Sequence, residues 1–140
     1  MQVKVKIEKN ADKIKTEFAK QTERVLYAVG TQAVGDIVTY MGKPDFTGKD
    51  IVDTGRLRAS ISFLTPEKAS GANGAEASKS DTLQGQGEEK AVLVGSNVEY
   101  ADDVNNGAFK KPARKFMENS INPNKAKYQR TADKIYKGEL

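Results

Sequence analysis

The sequence predicts a fold of the α+β class, in which a long N-terminal helix packs on a small antiparallel β-sheet and C-terminal helices follow. Residues 2–7 alternate apolar and polar side chains, which is typical of a strand with one wet face. Residues 12–41 carry apolar side chains at steps of three and four, as an amphipathic helix does. Short apolar runs at 61–65 and 91–95 flank a long polar segment, and they predict two strands joined as a hairpin.

The long helix has signals at both of its ends. Asn10 or Asp12 can cap the first turn, and the Gly-Lys-Pro sequence at 42–44 ends the helix. Gly30 and Gly35 lie inside it, where each glycine costs about 1 kcal/mol relative to alanine. We therefore expect a bend or close packing against the sheet at these two positions. The apolar stripe consists of Ile14, Phe18, Val25, Leu26, Val29, Ala33, Ile37 and Val38.

The segment 66–90, between the two hairpin strands, has a composition of its own. It is rich in Gly, Ala, Ser, Glu, Lys and Gln, and Leu83 is its only large apolar residue. Little apolar surface is available there to offset the entropy of ordering the backbone. We expect a long flexible hairpin loop, which is either disordered in the isolated chain or ordered only within an assembly.

The chain after the second hairpin strand predicts several short helices. Residues 97–106 form the first of these, which ends at Gly107. Pro112 can lie at or just before the first turn of the next helix, where no N–H is needed. A break at Asn122-Pro123 precedes a last helix, so residues 122–140 form a C-terminal helical extension. All of these parts belong to a single domain, 1–140, because a chain of this length makes one domain.

The composition excludes several classes of enzyme. The chain contains no Cys, no His and no Trp, so it lacks a thiolate nucleophile, a Ser-His-Asp triad and the usual zinc ligands. An enzyme would have to rely on Asp, Glu, Lys, Tyr or bound magnesium. No apolar stretch approaches the ~20 residues that span a bilayer, and no signal-peptide core is present. We therefore expect no membrane contact and an intracellular protein when the chain is made.

Charge is distributed unevenly along the chain. The net charge is +4, with 23 Lys and Arg against 19 Asp and Glu. The segment from Lys110 to Leu140 has nine basic and three acidic residues, whereas the segment from Asp81 to Phe109 has six acidic residues and one lysine. Such asymmetry favours contact with nucleic acid or between subunits. An ordinary solvated helix face rich in lysine is the alternative, purely structural interpretation of the basic segment.

Three stretches, taken in their order, resemble a known family. The first is 52–61, Val-Asp-Thr-Gly-Arg-Leu-Arg-Ala-Ser-Ile. The second is 94–101, Val-Gly-Ser-Asn-Val-Glu-Tyr-Ala, followed by Val104 and Gly107. The third is 112–117, Pro-Ala-Arg-Lys-Phe-Met. Together they are similar to the tail-component, or tail-completion, proteins at the head–tail joint of long-tailed bacteriophages and prophages.

This resemblance covers residues 10–121 and implies both a fold and a role. In the family, a long first helix packs on a small antiparallel sheet, and subunits assemble as a ring in the neck or at the tail end of the virion. It implies a structural protein without cofactor or metal, located in the virion and, during assembly, in the host cytoplasm. The implied partners are further copies of the chain, other phage connector and tail proteins, and, non-specifically, passing DNA.

The chain departs from the family pattern at two places. Members often carry an acidic residue, any residue and glycine after the Tyr-Ala pair, where this chain has Asn105-Asn106-Gly107. They also often carry Arg-Pro-Phe, where this chain has Arg114-Lys115-Phe116 with Pro112 earlier. These changes bear on the details of ring contacts more than on the fold.

The candidate functional residues come from the three motifs. As subunit-interface or motif residues we list Asp53, Thr54, Gly55, Arg56, Arg58, Tyr100, Asp102, Asp103, Arg114 and Phe116. The first motif has a purely structural interpretation, in which Asp53 or Thr54 caps a turn, Leu57 enters the core and the arginines are solvated. Tyr100 is typical of a half-buried core residue with its hydroxyl satisfied, and an interface role is the alternative.

The first motif also has a functional interpretation. Arg56 or Arg58 makes a forked contact with a carboxylate of a neighbouring subunit, for which Asp102 and Asp103 are candidates. Alternatively, the arginines line a DNA passage and bind phosphates, a contact that is independent of base sequence. The sequence leaves these interpretations open.

The function that the sequence predicts is that of a non-enzymatic structural virion protein, which completes or joins the tail at the head–tail interface by ring-like self-assembly. The alternative is a small basic nucleic-acid-binding module that uses the Lys- and Arg-rich C-terminal segment. A magnesium-dependent hydrolase built on Glu99, Asp102 and Asp103 is a third hypothesis, although three acids on a short exposed helix are typical of a solvated face.

Overall fold

The computed structural model describes residues 1–6, 17–42, 55–107 and 112–138, with the backbone alone for 17–21. The strands and helices, in chain order, are β1 (Gln2–Lys6), α1 (Glu17–Met41), α2 (Arg56–Ser60), β2 (Ser62–Leu64), β3 (Ala91–Gly95), α3 (Ala101–Asn106), α4 (Phe116–Ile121) and α5 (Lys125–Tyr136). Single 3-10 turns lie at Lys79–Asp81 and Asn122–Asn124. The fold is of the predicted α+β class.

The three strands form one antiparallel sheet in the order β1–β3–β2. Val94, in the central strand β3, pairs with Val3 of β1 on one side and with Phe63 of β2 on the other. All five residues of β3 are buried, which shows that both faces of the sheet are covered there. Since β2 and β3 are consecutive in the sheet and antiparallel, the predicted hairpin is confirmed.

Helix α1 packs on one face of this sheet and also contacts α4 and α5. Its buried side chains recur at steps of three and four, as the sequence predicts: Val25, Leu26, Val29, Ala33, Ile37 and Met41. The helix ends at Met41, in agreement with the prediction. The predicted first turns before Glu17 lie outside the described residues.

Gly30 allows α1 to approach strand β2. A Cβ atom at this position would lie 2.5 Å from Cδ2 of Phe63, which is closer than two carbon atoms can pack. At Gly35, on the exposed side of the helix, a Cβ atom would meet no atom within 4 Å. Close packing against the sheet therefore explains Gly30 and does not explain Gly35.

The segment 66–90 has a defined path over the second face of the sheet. Leu83 packs with Leu64 and Leu93 in a small buried cluster, and its backbone N–H donates to Oγ of Ser62 at 2.9 Å. The segment therefore packs on the sheet through Leu83, although its composition offers little apolar surface. One buried leucine and several hydrogen bonds hold the segment in place, although it has few apolar side chains. Whether the segment is flexible in solution stays a prediction.

The C-terminal helix is fixed to α1 by polar contacts as well as by packing. The buried hydroxyl of Tyr128 donates to Oδ2 of Asp36 at 2.7 Å, and Nζ of Lys127 donates to both oxygens of the same carboxylate at 2.7 Å. Burial, and then the hydrogen bond to Asp36, raise the pKa of Tyr128 well above its usual value. The hydroxyl therefore stays protonated and keeps its role as a donor. The predicted C-terminal extension thus shares the core of the domain.

Candidate functional site

Residues 55–60 of the first motif form the short helix α2 and the glycine before it, whereas Asp53 and Thr54 lie outside the described residues. Gly55 precedes the helix with a φ of 82°, a left-handed conformation that glycine adopts without steric cost. Leu57 is buried in the main core, so the apolar side of the motif faces inward. Arg56 is half-buried and Arg58 is exposed. The motif therefore presents two arginines at the surface of a helix that its leucine anchors.

The guanidinium of Arg56 lies between two carboxylates of its own chain. Its Nε and Nη2 donate to the two oxygens of Asp81 at 3.2 and 2.7 Å. Its Nη1 and Nη2 donate to the two oxygens of Glu99 at 2.9 and 3.0 Å. The ring centroid of Tyr100 lies 5.7 Å from Cζ of the arginine. One side chain thus joins α2 to the 66–90 segment and to the turn before α3, through charge-assisted bonds of defined geometry.

Asp81 is itself fixed within the 66–90 segment. Its Oδ2 accepts the backbone N–H of Ser78 at 3.0 Å, which is half of a capping box around the 3-10 turn. The hydrogen bonds from Arg56, followed by the bond from Ser78, lower the pKa of Asp81 from 3.8 to about 2. Hydrogen bonds from Arg56 also lower the pKa of Glu99. Both carboxylates are therefore ionised and share one cation.

Of the remaining charged candidates in the described residues, Arg114 is half-buried and the other three are exposed. Arg58, Asp102 and Asp103 make no ion pair with any residue in the described ranges. Asp102 and Asp103 lie in the first turn of helix α3, where carboxylates interact favourably with free N–H groups. Arg56 makes its forked contacts with carboxylates of its own chain. A contact with a neighbouring subunit stays a prediction for both arginines.

Replacing Arg56 by glutamine is expected to lower stability at neutral pH, because two ionised carboxylates lose their shared cation. A carboxylate with a depressed pKa stabilises the fold fully above its ordinary pKa, which is 3.8 for Asp81, and this contribution is lost as the pH falls toward about 2. Urea unfolding should therefore show a stability difference between variant and wild type that narrows from about pH 5 to about pH 2.5. A difference that stays constant over this range would contradict the assignment. Arg58→Gln, on the same helix, is the matched control and should show no such change.

Two buried serines connect the first motif to the second. The Oγ atoms of Ser60 and Ser96 are 2.6 Å apart, and the residues are 0% and 1% exposed. Ser60 also donates to the carbonyl of Leu57 at 2.6 Å, and Ser96 accepts the N–H of Val98 at 3.0 Å. Sequence reasoning quoted both serines within the motifs but assigned them no role. Their positions within two motifs were the only sequence feature that could have indicated a role for these serines.

The third motif is attached to α3 through its backbone. The N–H groups of Arg114 and Lys115 donate to the carbonyls of Val104 and Asn105, both at 2.9 Å. Lys115 has a φ of 47°, which proline cannot adopt because its ring fixes φ near about −65°. The backbone conformation at position 115 therefore excludes the proline of the Arg-Pro-Phe pattern. Phe116 is fully buried, so this candidate contributes to the core and not to an exposed interface.

Asn105 is a further residue that sequence reasoning did not assign. It is 0% exposed, and its Oδ1 accepts the N–H of Met117 at 3.0 Å. Its Nδ2 donates to both oxygens of Glu118, at 2.9 and 3.2 Å, and to Oδ1 of Asn106 at 3.0 Å. The side chain therefore fixes α4 to α3. An acidic residue here, as the family often has, would lack the donors that Glu118 requires.

The described residues offer no arrangement typical of metal catalysis. Within the described ranges, no group of three or more carboxylates comes close enough together to hold a metal ion. Both oxygens of Glu99 accept hydrogen bonds from Arg56. The geometry therefore gives no support to the magnesium hypothesis for Glu99, Asp102 and Asp103. Of the helices in the described part of the chain, none is both long and apolar enough to cross a membrane.

Comparison with known protein families identifies the chain. The family model described as "Bacteriophage HK97-gp10, putative tail-component" matches residues 6–107, well over half of the sequence. The chain belongs to this family of phage tail components. No curated protein and no solved structure matches it significantly.

The family match confirms the resemblance inferred from the motifs and sets its extent. The matched residues include the first two motifs and end at Gly107, so the third motif lies beyond them. A tail component is part of the virion, which agrees with the predicted location at that level of detail. Within the matched region, the contacts of Arg56 and the paired serines hold the two motifs against each other.

Proposed function

We propose that this tail component completes or joins the tail at the head–tail interface, acting as a non-enzymatic structural protein that assembles into a ring. The observation that carries the proposal is the family match over residues 6–107. Its partners are further copies of the chain and other connector and tail proteins. Assembly occurs in the host cytoplasm and ends in the neck of the virion.

The geometry of the motif residues supports a structural role. Arg56 joins three segments of the domain and leaves both of its carboxylate partners ionised and hydrogen-bonded. A general base or nucleophile would instead have to present a reactive group to a substrate. The same contacts give the surface around α2 and α3 a fixed shape, which lowers the entropy cost of docking to another subunit.

The proposal is tested by removing the gene from a phage or prophage that encodes the protein. We expect lysates of the deletion strain to contain filled heads and separate tails, with few joined particles in electron micrographs. Supplying the wild-type protein from a plasmid should restore joined, infectious particles. Joined and infectious particles in the absence of the protein would overturn the proposal.

A small basic nucleic-acid-binding module is the second candidate function. It is supported by the exposed cations of α5, among them Lys125, Arg130 and Lys134. Binding that depends on phosphate contacts weakens steeply with salt. Measuring the affinity for duplex DNA at about 0.05 and 0.2 M salt separates the candidates, since useful affinity at the higher concentration favours a DNA-binding role.

A further inference from the structure

The outer side of α5 carries a stripe of exposed cations. Arg130, Lys134 and Lys137 are spaced by four and three residues, which places them on one side of the helical segment. Their side chains make no hydrogen bond or ion pair with any residue in the described part of the chain. Asp133, an exposed acid of the same helix, accepts a hydrogen bond at Oδ1 from Nε2 of Gln129 at 3.0 Å. We refer to the three cations as the basic face.

A second surface, of opposite charge, lies at the start of α3. Glu99, Asp102 and Asp103 are all exposed. Arg56 neutralises part of this charge through Glu99, whereas Asp102 and Asp103 lack an ion-pair partner among the described residues. Because Tyr100 between them is packed against the core, the turn that carries these acids has a fixed position. We refer to the three acids as the acidic turn.

The basic face and the acidic turn have opposite charges, so each is complementary to the other and repels a second copy of itself. Pairing two basic faces, or two acidic turns, across a two-fold axis would bring like charges together. Pairing a basic face with an acidic turn joins different patches of successive copies, and such a head-to-tail arrangement forms a ring when the rotation between copies closes. The acids can neutralise the cations without any partner of another kind.

We infer that the basic face of one copy docks on the acidic turn of the next. This inference rests on the proposed function, because it names the contact by which the ring would form. Duplex DNA is the competing occupant of the basic face, but DNA binding would leave the acidic turn without a role. A second copy accounts for both surfaces.

The experiment exchanges the charges and measures self-association of the full chain by sedimentation. One variant carries Arg130→Glu and Lys134→Glu, and another carries Asp102→Lys and Asp103→Lys. At about 0.05 M salt, each variant alone should associate about tenfold more weakly than wild type. A 1:1 mixture of the two variants should recover association, because each supplies the charge that the other has lost, and so should the chain that combines all four changes.

A control separates this contact from an effect of net charge. The variant with Glu67→Lys and Glu89→Lys has the same net charge as the acidic-turn variant and changes two exposed acids elsewhere. It should associate like wild type. Circular dichroism of every variant confirms that the fold is retained.

Several outcomes would overturn the inference. Wild-type protein that stays monomeric up to about 1 mM at low salt would do so. Variants that fail to recover association when mixed would also contradict it. Loss of duplex DNA binding in the Arg130 and Lys134 variant, with unchanged self-association, would assign the basic face to DNA.

The proposed function has a separate readout in the gene deletion. If tails join only in the presence of the protein but charge exchange does not change its association, the proposed function stands and this contact is wrong. If association depends on these charges but tails join without the protein, the contact stands and the proposed function is wrong.

Discussion

Replacing Gly30 by alanine is expected to lower the free energy of unfolding by about 1–3 kcal/mol, the usual cost of forcing extra atoms into a packed core. The new methyl group would lie 2.5 Å from the ring of Phe63. Phe63 is 4% exposed and pairs with Val94 in the sheet, so its ring cannot move into solvent without disturbing the strand. Equilibrium unfolding in urea measures the effect.

Gly35 provides the matched control, since it lies in the same helix with open space around it. The change Gly35→Ala should raise stability by up to about 1 kcal/mol, because alanine is the better helix former. Equal effects at the two positions would contradict the packing of α1 on β2. A combined Gly30→Ala and Phe63→Leu variant should lose less stability than the two single changes summed, because the smaller side chain leaves room for the methyl group.

Replacing Asn105 by aspartate is expected to cost about 3 kcal/mol at neutral pH, because a buried carboxylate would face that of Glu118 with no amide donor between them. Asn105 donates from Nδ2 to both oxygens of Glu118, and it is fully buried. Aspartate keeps the acceptor for the N–H of Met117 but sets one carboxylate against another. The loss should shrink as the pH falls, since protonation of either carboxyl restores a donor.

A second substitution tests the cause of this loss. Glu118→Gln in the Asn105→Asp background returns an amide donor to the pair and should recover most of the stability. Asn106→Asp, at the exposed neighbouring position, should change stability by less than about 0.5 kcal/mol. Without recovery in the double variant, the loss would have to come from something other than the contact with Glu118.

The elements with strong apolar periods could be predicted from the sequence. The stripe that includes Val25 and Ile37 predicted α1, because a three- and four-residue period fixes one buried face, and the Gly-Lys-Pro sequence at 42–44 predicted its end. The alternation in residues 2–6 and the apolar run of β3 gave the sheet. The order β1–β3–β2 follows from contacts between distant parts of the chain, which local patterns do not specify.

The 66–90 segment shows why the remainder could not be predicted. Its composition indicates a loop, because a single leucine offers little burial. That leucine meets Leu64 and Leu93 only when the hairpin has formed, and Asp81 meets Arg56 across 25 residues of chain. Such bonds depend on tertiary position, so no local pattern reveals them. The motifs located Arg56 and Tyr100, but they could not show that the arginine has its partners within its own chain.

The central claim, that this tail component lies at the head–tail joint, is tested most directly by locating it in purified virions. An antibody against the protein, coupled to gold and viewed by electron microscopy, should label the tail end next to the head. Mass spectrometry of the same particles should find several copies per virion. Virions that lack the protein, or labelling confined to the distal tip of the tail, would contradict the claim.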